Sequence, residues 1–276
     1  MYIHMINIQV VSDLHLEFWS KKEKFGFVKP TSPILALLGD ICCLGSDDDF
    51  STFKRFINEI LPLYETIIMI SGNHEYYFNP SNEPVKPTYN NTMQGIDEKL
   101  KTYFKITSPK LHYLNNSTIR INIGKTTYTI IGSTLWTWIP DDQRKKITSF
   151  MNDYKYIKYF DEKTIRQLTS NDVATMHLKN YKYIKTQITK AKNLNHKVIV
   201  FTHHKPYVSP TYNSAGLDVA YESDLSSMFE PPVLLWCYGH THVSDSIMKG
   251  KTWLYSNPKG YPKQKTLYNN SAVVQV

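Results

Sequence analysis

Apolar residues along this chain gather in short runs, each bounded by glycine or polar residues. Ile6–Val11, Ile34–Leu38, Thr66–Ile70, Val198–Phe201 and Val233–Tyr238 are such runs, rich in aliphatic residues. Runs of this length between breakers read as buried strands rather than helices. Helical spacing stands out elsewhere. Asp47–Leu61 places Phe50, Phe53, Ile57 and Ile60 on one stripe, with acids at its start and Pro62 after its end. That pattern predicts an amphipathic helix. Thr92–Phe104 predicts a second helix, after a loop holding Pro80, Pro84 and Pro87. Ser170–Leu194 predicts a long third one, with Ile184, Ile188, Ala191 and Leu194 along one face. Leu111–Tyr113, Thr118–Ile123 and Thr126–Ile131 read as strands, the last two joined at Gly124-Lys125. Lys251–Tyr255 and Ala272–Val276 read as late strands. The alternation predicts an α/β fold with a mostly parallel core.

Five polar segments, each just past one of the five apolar runs, turn the picture from fold to chemistry. They are Asp13-Leu14-His15, Gly39-Asp40, Gly72-Asn73-His74-Glu75, His203-His204 and Gly239-His240-Thr241-His242. With the five strands parallel in one sheet, all of them emerge at its carboxyl edge, where open α/β sheets bind ligands. Carboxylate and imidazole groups suit Mn, Fe, Zn or Mg, and no cysteine stands at these positions. The set is too large for one tetrahedral ion, and a two-metal centre with a shared carboxylate is the simplest reading. Taken singly, Asp13 and Asp40 read as turn or cap residues. Such readings do not explain why each segment falls just past a strand.

The order D-x-H, G-D, G-N-H-E, H, G-H-x-H resembles that of the calcineurin-like metallophosphoesterases, from Asp13 to His242. The resemblance implies a four-layer αββα sandwich, one domain spanning 1–276. It implies two divalent metal ions, Mn foremost, with Fe, Zn or Mg as alternatives. Asp13, His15, Asp40 and His242 would hold one ion; Asp40, Asn73, His203 and His240 would hold the other, so that Asp40 bridges. His74 would be no ligand but would lie beside the scissile phosphate, to protonate the leaving oxygen or stabilise charge. The implied reaction is hydrolysis of phosphate esters by a metal-activated hydroxide. Phosphodiester or nucleotide-type substrates are favoured over simple monoesters.

The pattern has departures. Gly39-Asp40-Ile41-Cys42-Cys43 lacks the second acid of the related G-D-x-x-D. Leu44 and Ser71 stand where the protein phosphatases of the superfamily carry arginines, which argues against that activity. Ser133–Trp136, Met151–Tyr154 and Asn257–Tyr261 resemble a small, mostly bacterial, stand-alone subgroup. Glu17 and Glu75 read as partners that orient histidine ligands, or as exposed ion pairs. His204 and Lys259 are candidate substrate contacts; the plainer readings are a satisfied polar residue and a solvated loop charge. Segment 136–169 reads as a lid or pocket insertion, or as a packed excursion whose aromatics are core.

The net charge of +8 fits an anionic substrate such as a phosphate ester and could fit nucleic acid. Lysines cluster only locally, at Lys21-Lys22-Glu23-Lys24 and Arg144-Lys145-Lys146. Two alternatives remain open. A nuclease would need a basic groove and a steep salt dependence. A non-catalytic protein-binding scaffold has a precedent in a retromer subunit resembling this family, but that subunit lacks the catalytic histidine, which is present here as His74. The three cysteines, Cys42, Cys43 and Cys237, offer no disulfide framework, and so point to a reducing, cytoplasmic setting. No apolar stretch approaches the ~20 residues of a membrane helix, and the start lacks a signal-peptide layout. No Gly-x-Ser-x-Gly elbow or phosphate-binding glycine loop appears.

Overall fold

The computed structural model describes residues 5–19, 26–78, 86–209 and 216–276. The Lys21–Lys24 cluster, Pro80 and Pro84 lie outside the described residues. The strands are, in order, β1 (Asn7–Val11), β2 (Ile34–Leu38), β3 (Thr66–Ile70), β4 (Leu111–Tyr113), β5 (Ser117–Ile123), β6 (Thr126–Ser133), β7 (Lys158–Phe160), β8 (Ile165–Gln167), β9 (Lys197–Thr202), β10 (Val233–Tyr238), β11 (Asp245–Lys249), β12 (Thr252–Ser256) and β13 (Val273–Gln275). They form a sheet in the order β13-β1-β2-β3-β4, a second in the order β11-β12-β10-β9-β6-β5, and the ribbon β7-β8. β1 to β4 are parallel, as are β6, β9, β10 and β12; the edge strands β13, β5 and β11 run antiparallel to their neighbours.

The five apolar runs therefore do not share one sheet. β1, β2 and β3 lie in the first, and β9 and β10 in the second. A run that is buried on both faces carries no alternation, so its sequence cannot say which sheet it joins. The strand faces instead sort into three cores. Ile8, Val10, Ala36, Leu38, Ile68 and Ile70 meet Tyr128, Ile130, Ile199, Phe201, Leu235 and Cys237 between the sheets. Val11, Leu35, Leu37, Ile67 and Met69, on the opposite face of the first sheet, pack on the helices α1 (Asp47–Ile60) and α2 (Met93–Thr107). Val198, Val200, Trp236 and Leu254, beneath the second sheet, meet Ile184 and Ala191. Three cores separate four layers, an αββα sandwich.

The helices start where their caps dictate. Ser46 accepts the Asp49 N–H at the head of α1, whose first turn holds three aspartates that suit the positive end of the helix dipole. Pro62 sits in a 3₁₀ turn, Leu61–Leu63, that ends it. Phe53, Ile57 and Ile60 are buried as predicted, joined by Phe56, while Phe50 is half-buried. Thr92 caps α2, which runs three residues past the predicted Phe104, to Thr107. Two short helices, α3 (Arg144–Phe150) and α4 (Asp153–Tyr156), precede the long α5 (Ser170–Asn193). Leu194 is a correction: it follows the last turn of α5 as its C-cap and is 53% exposed. Segment 136–169 seats Trp136, Ile139, Ile147, Tyr154, Ile157 and Leu168 in the first core, while Trp138 and Phe150 remain exposed. Among the described residues, no helix is long and apolar enough to cross a membrane.

Candidate metal centre

The site forms where strand ends of both sheets meet, in backbone that most residues avoid. Asp13, His15, Asp40, His240 and His242 all have left-handed φ values, from 49° to 68°. Each such residue costs on the order of 1–3 kcal/mol and persists only where its surroundings over-determine it. Here the surroundings do. Asp13 N–H donates to Gly39 O, and His15 N–H to Asp40 O. The Asp13 carboxylate accepts the His240 N–H at 3.0 Å, and Asp40 Oδ1 accepts that of His74 at 2.8 Å. Glu75, fully buried, accepts N–H groups from Asp40, Ile41 and Gly72 at 2.8, 2.7 and 2.6 Å. It ties two loops together and orients no histidine, contrary to the expectation from sequence. The glycines of these loops mark the closest approach. A Cβ on Gly72 would lie 2.6 Å from His203 Cε1 and Nε2, and one on Gly39 would lie 2.6 Å from His203 Nδ1.

Imidazoles converge on this point with their outer nitrogens already committed. His15 Nδ1 faces Glu17 Oε1 at 3.1 Å, His203 Nδ1 faces Leu38 O at 2.9 Å, and His242 Nδ1 faces Gln264 Oε1 at 2.7 Å. Oxygen acceptors there place the proton on Nδ1 and leave Nε2 a lone pair. The inner nitrogens nevertheless face each other: His15 Nε2 and His242 Nε2 are 3.2 Å apart, as are His203 Nε2 and His240 Nδ1. At 3.2 Å each pair is either an N–H···N hydrogen bond or, with both inner nitrogens unprotonated, two lone pairs aimed at a cation. Carboxylates surround the same points. Asp13 Oδ1 lies 3.4 Å from His242 Nε2, Asp40 Oδ2 3.9 Å from His15 Nε2, and Asp40 Oδ1 3.4 Å from His203 Nε2. Asn73 Oδ1 completes the second group, 3.2 Å from His203 Nε2. Asp13, His15 and His242 thus form one metal-sized cluster, and Asp40, His203 and His240 another. Burial opposes charge here, yet Asp40 pushes His203 up to about 10, and His203 and His74 hold Asp40 well below the usual carboxylate range. A donor set of carboxylates, imidazoles and one amide oxygen, aimed inward, fits divalent cations.

A family model described as calcineurin-like phosphoesterase matches residues 6–244. The chain belongs to that family. Membership makes it a phosphoric ester hydrolase of a metal-dependent kind. Uncharacterized protein L509 of Acanthamoeba polyphaga mimivirus is 29% identical over 288 residues, covering 98% of this chain and 96% of that one. Among solved structures, the phosphopantetheinyl hydrolase PptH of Mycobacterium tuberculosis superposes with a TM-score of 0.70 at 12% identity, covering 94% of this chain and 91% of that one. At that identity the likeness concerns the fold.

His74 stands beside both clusters and is held on three sides. Its Nδ1 faces Glu17 Oε1 at 3.2 Å, its Nε2 faces Tyr261 Oη at 3.1 Å, and its ring stacks on Tyr77 at 4.1 Å. Burial works against its protonation, but the charges of Asp40 and Glu17 push it up to about 9. Glu17 serves both His15 and His74, and these bonds hold its carboxyl down to about 2 against the effect of burial. The remaining sequence candidates sit elsewhere. His204 packs its ring at 4.2 Å from His240 and 5.3 Å from Trp136, with Nδ1 facing Thr134 O at 3.2 Å; burial and the His203 charge press it down to about 3. Lys259 places its ammonium over the rings of Trp19 and Phe27, at 4.2 and 4.7 Å, and is not among the residues lining the cleft.

That cleft, about 300 Å³, opens over Asp40, Asn73, His74, His240 and His242. Sequence reasoning missed several residues around it. Asp153 Oδ1 accepts from Asn73 Nδ2 at 2.8 Å and from Tyr77 Oη at 2.7 Å, and so turns the Asn73 oxygen inward. Gln264 Oε1, the partner of His242, also accepts the Tyr261 N–H at 3.0 Å. The signal for Asp153 and Tyr261 was present in Met151–Tyr154 and Asn257–Tyr261, unusual stretches without a role.

Proposed function

We propose that the chain hydrolyses small phosphodiester or nucleotide-type substrates at a centre of two divalent ions, Mn foremost. Asp13, His15, Asp40 and His242 would hold one ion, and Asp40, Asn73, His203 and His240 the other. The observation that carries this reading is the placing of Asp40: one oxygen faces His15, and the other faces His203. Bound there, the ions would lower the pKa of water and neutralise charge on a phosphoryl group. The chain's own residues supply the rest. Asp153 holds the Asn73 amide in register, and Glu17 holds both His15 and His74. His74, with Nδ1 engaged, turns Nε2 toward the cleft mouth at Tyr261, where it would protonate the departing oxygen. The free cysteines Cys42, Cys43 and Cys237 support a reducing, cytoplasmic setting.

The test is hydrolysis of bis-p-nitrophenyl phosphate and p-nitrophenyl phosphate by chelator-stripped protein, before and after Mn²⁺ is restored. Turnover that requires the ion, faster on the diester, is expected. A rate indifferent to both chelator and metal would reject the proposal.

A further inference from the structure

The cleft has a second character beyond its floor of metal-binding residues. Its walls include Tyr77, Phe150, Met151, Leu217, Tyr221 and Tyr261. They come from distant stretches: the 3₁₀ turn after β3, the C-terminal end of α3, the loop before β10 and the loop after β12. Three of the aromatic walls rest on site imidazoles: Tyr77 on His74 at 4.1 Å, Tyr221 on His240 at 4.9 Å, and Tyr261 on His15 at 4.4 Å. Phe150 stands at the cleft with 65% of its surface exposed, although it closes a helix whose Ile147 is fully buried. Polar groups along the walls are uncharged: Asn152, Thr241, Gln264 and the hydroxyls of Tyr77, Tyr221 and Tyr261. Among the described residues, no lysine or arginine lines the cleft. Apolar and aromatic walls with a few placed polar groups describe a small-molecule pocket, whereas a nucleic-acid channel is tracked by cations along its backbone path.

We infer that these walls form a subsite for the organic group esterified to the phosphate, and that this group is aromatic or apolar and uncharged. The inference rests on the phosphoesterase reading for the floor of the cleft, where a phosphoryl group would sit. Segment 136–169 then has two tasks: Asp153 braces Asn73 from behind, while Phe150 and Met151 face the ester group in front. The volume of about 300 Å³ has room for a phosphoryl group and one ring.

Phosphonates read the subsite apart from turnover, because their organic group cannot be cleaved. Calorimetry on Mn-loaded protein would compare phenylphosphonate with methylphosphonate. The wild type is expected to prefer the phenyl compound by about tenfold, the order of one aromatic stacking contact. Phe150→Ala and Leu217→Ser should each remove most of that preference, and Phe150, being exposed, can be changed without disturbing the core. Equal affinities for the two phosphonates in the wild type would overturn the inference, as would a preference that survives both substitutions. Tighter binding of a single-stranded oligonucleotide that weakens steeply with salt would also overturn it, in favour of a nucleic-acid substrate. Phenyl selectivity without turnover of any ester would uphold the subsite and reject the phosphoesterase reading.

Discussion

Asp153 offers a sharp test, because both of its donors converge on one oxygen. Asn73 Nδ2 and Tyr77 Oη each reach Oδ1, at 2.8 and 2.7 Å, within a fully buried setting. Burial pushes the Asp153 carboxyl upward, while the bonds from Tyr77 and Asn73 and the charge of His74 pull it down. Asp153→Asn keeps an acceptor oxygen in that place and is expected to change Mn affinity by less than about fivefold, a small fraction of the usual cost of losing such a partner. Asp153→Ala removes the acceptor from two buried donors. Asn73 Nδ2 keeps Tyr77 Oη as an acceptor at 3.1 Å, so the Tyr77 hydroxyl is the donor left stranded, at a cost of roughly 1–3 kcal/mol. With about 2 °C of melting temperature per kcal/mol for a chain of this size, the fall should be roughly 2–6 °C. With only the Tyr77 hydroxyl left to hold it, the Asn73 amide is less firmly oriented, and Mn affinity should drop by about 10-fold, the low end of the usual cost of losing such a partner. Calorimetric Mn titration and thermal unfolding of the three proteins provide the assay. Equal damage from Asn and Ala would show that the charge matters rather than the acceptor. No damage from Ala would remove Asp153 from the site.

Other substitutions separate the remaining roles. His74→Ala should keep the metals but lose 10²–10⁴-fold in kcat, the order for a general acid; a full rate would take His74 out of the mechanism. Tyr261→Phe removes one hydrogen bond to His74 Nε2, and steady-state kinetics should show a fall in kcat of about fivefold at unchanged metal content. An unchanged kcat in Tyr261→Phe would mean that Glu17 and Tyr77 suffice to hold the ring. Gly72→Ala places a methyl group 2.6 Å from the His203 ring, and should lower both the melting temperature and Mn affinity. Normal values for both would mean that the two loops can separate without harm.

The sequence disclosed the chemistry of the site more fully than its support. The proposed ligand side chains are written as rare polar residues just past apolar runs, so Asp13, Asp40, Asn73, His203 and His240 stand out. Their partners act through geometry that only folding creates. Glu75 looks like a histidine partner in G-N-H-E, yet its oxygens meet four backbone N–H groups from the loops after β2 and β3. Gln264 is an ordinary loop residue until the chain brings it within 2.7 Å of His242. The three long helices α1, α2 and α5 were legible to within a turn because caps and periodicity are local, whereas the short α3 and α4 were not. The assignment of strands to sheets was not, since runs buried on both faces carry no mark of their partners. Leu194 fell on the predicted stripe but beyond the last turn, where the stripe no longer faces the core.

The central claim is a pair of ions bridged by Asp40. Mn²⁺ titration of chelator-stripped protein, followed by calorimetry and by electron paramagnetic resonance, tests it most directly. The wild type should bind two ions with a spin-coupled signal, and Asp40→Asn should lose tight binding of both. A single uncoupled ion in the wild type, or two tightly bound ions in Asp40→Asn, would contradict the account.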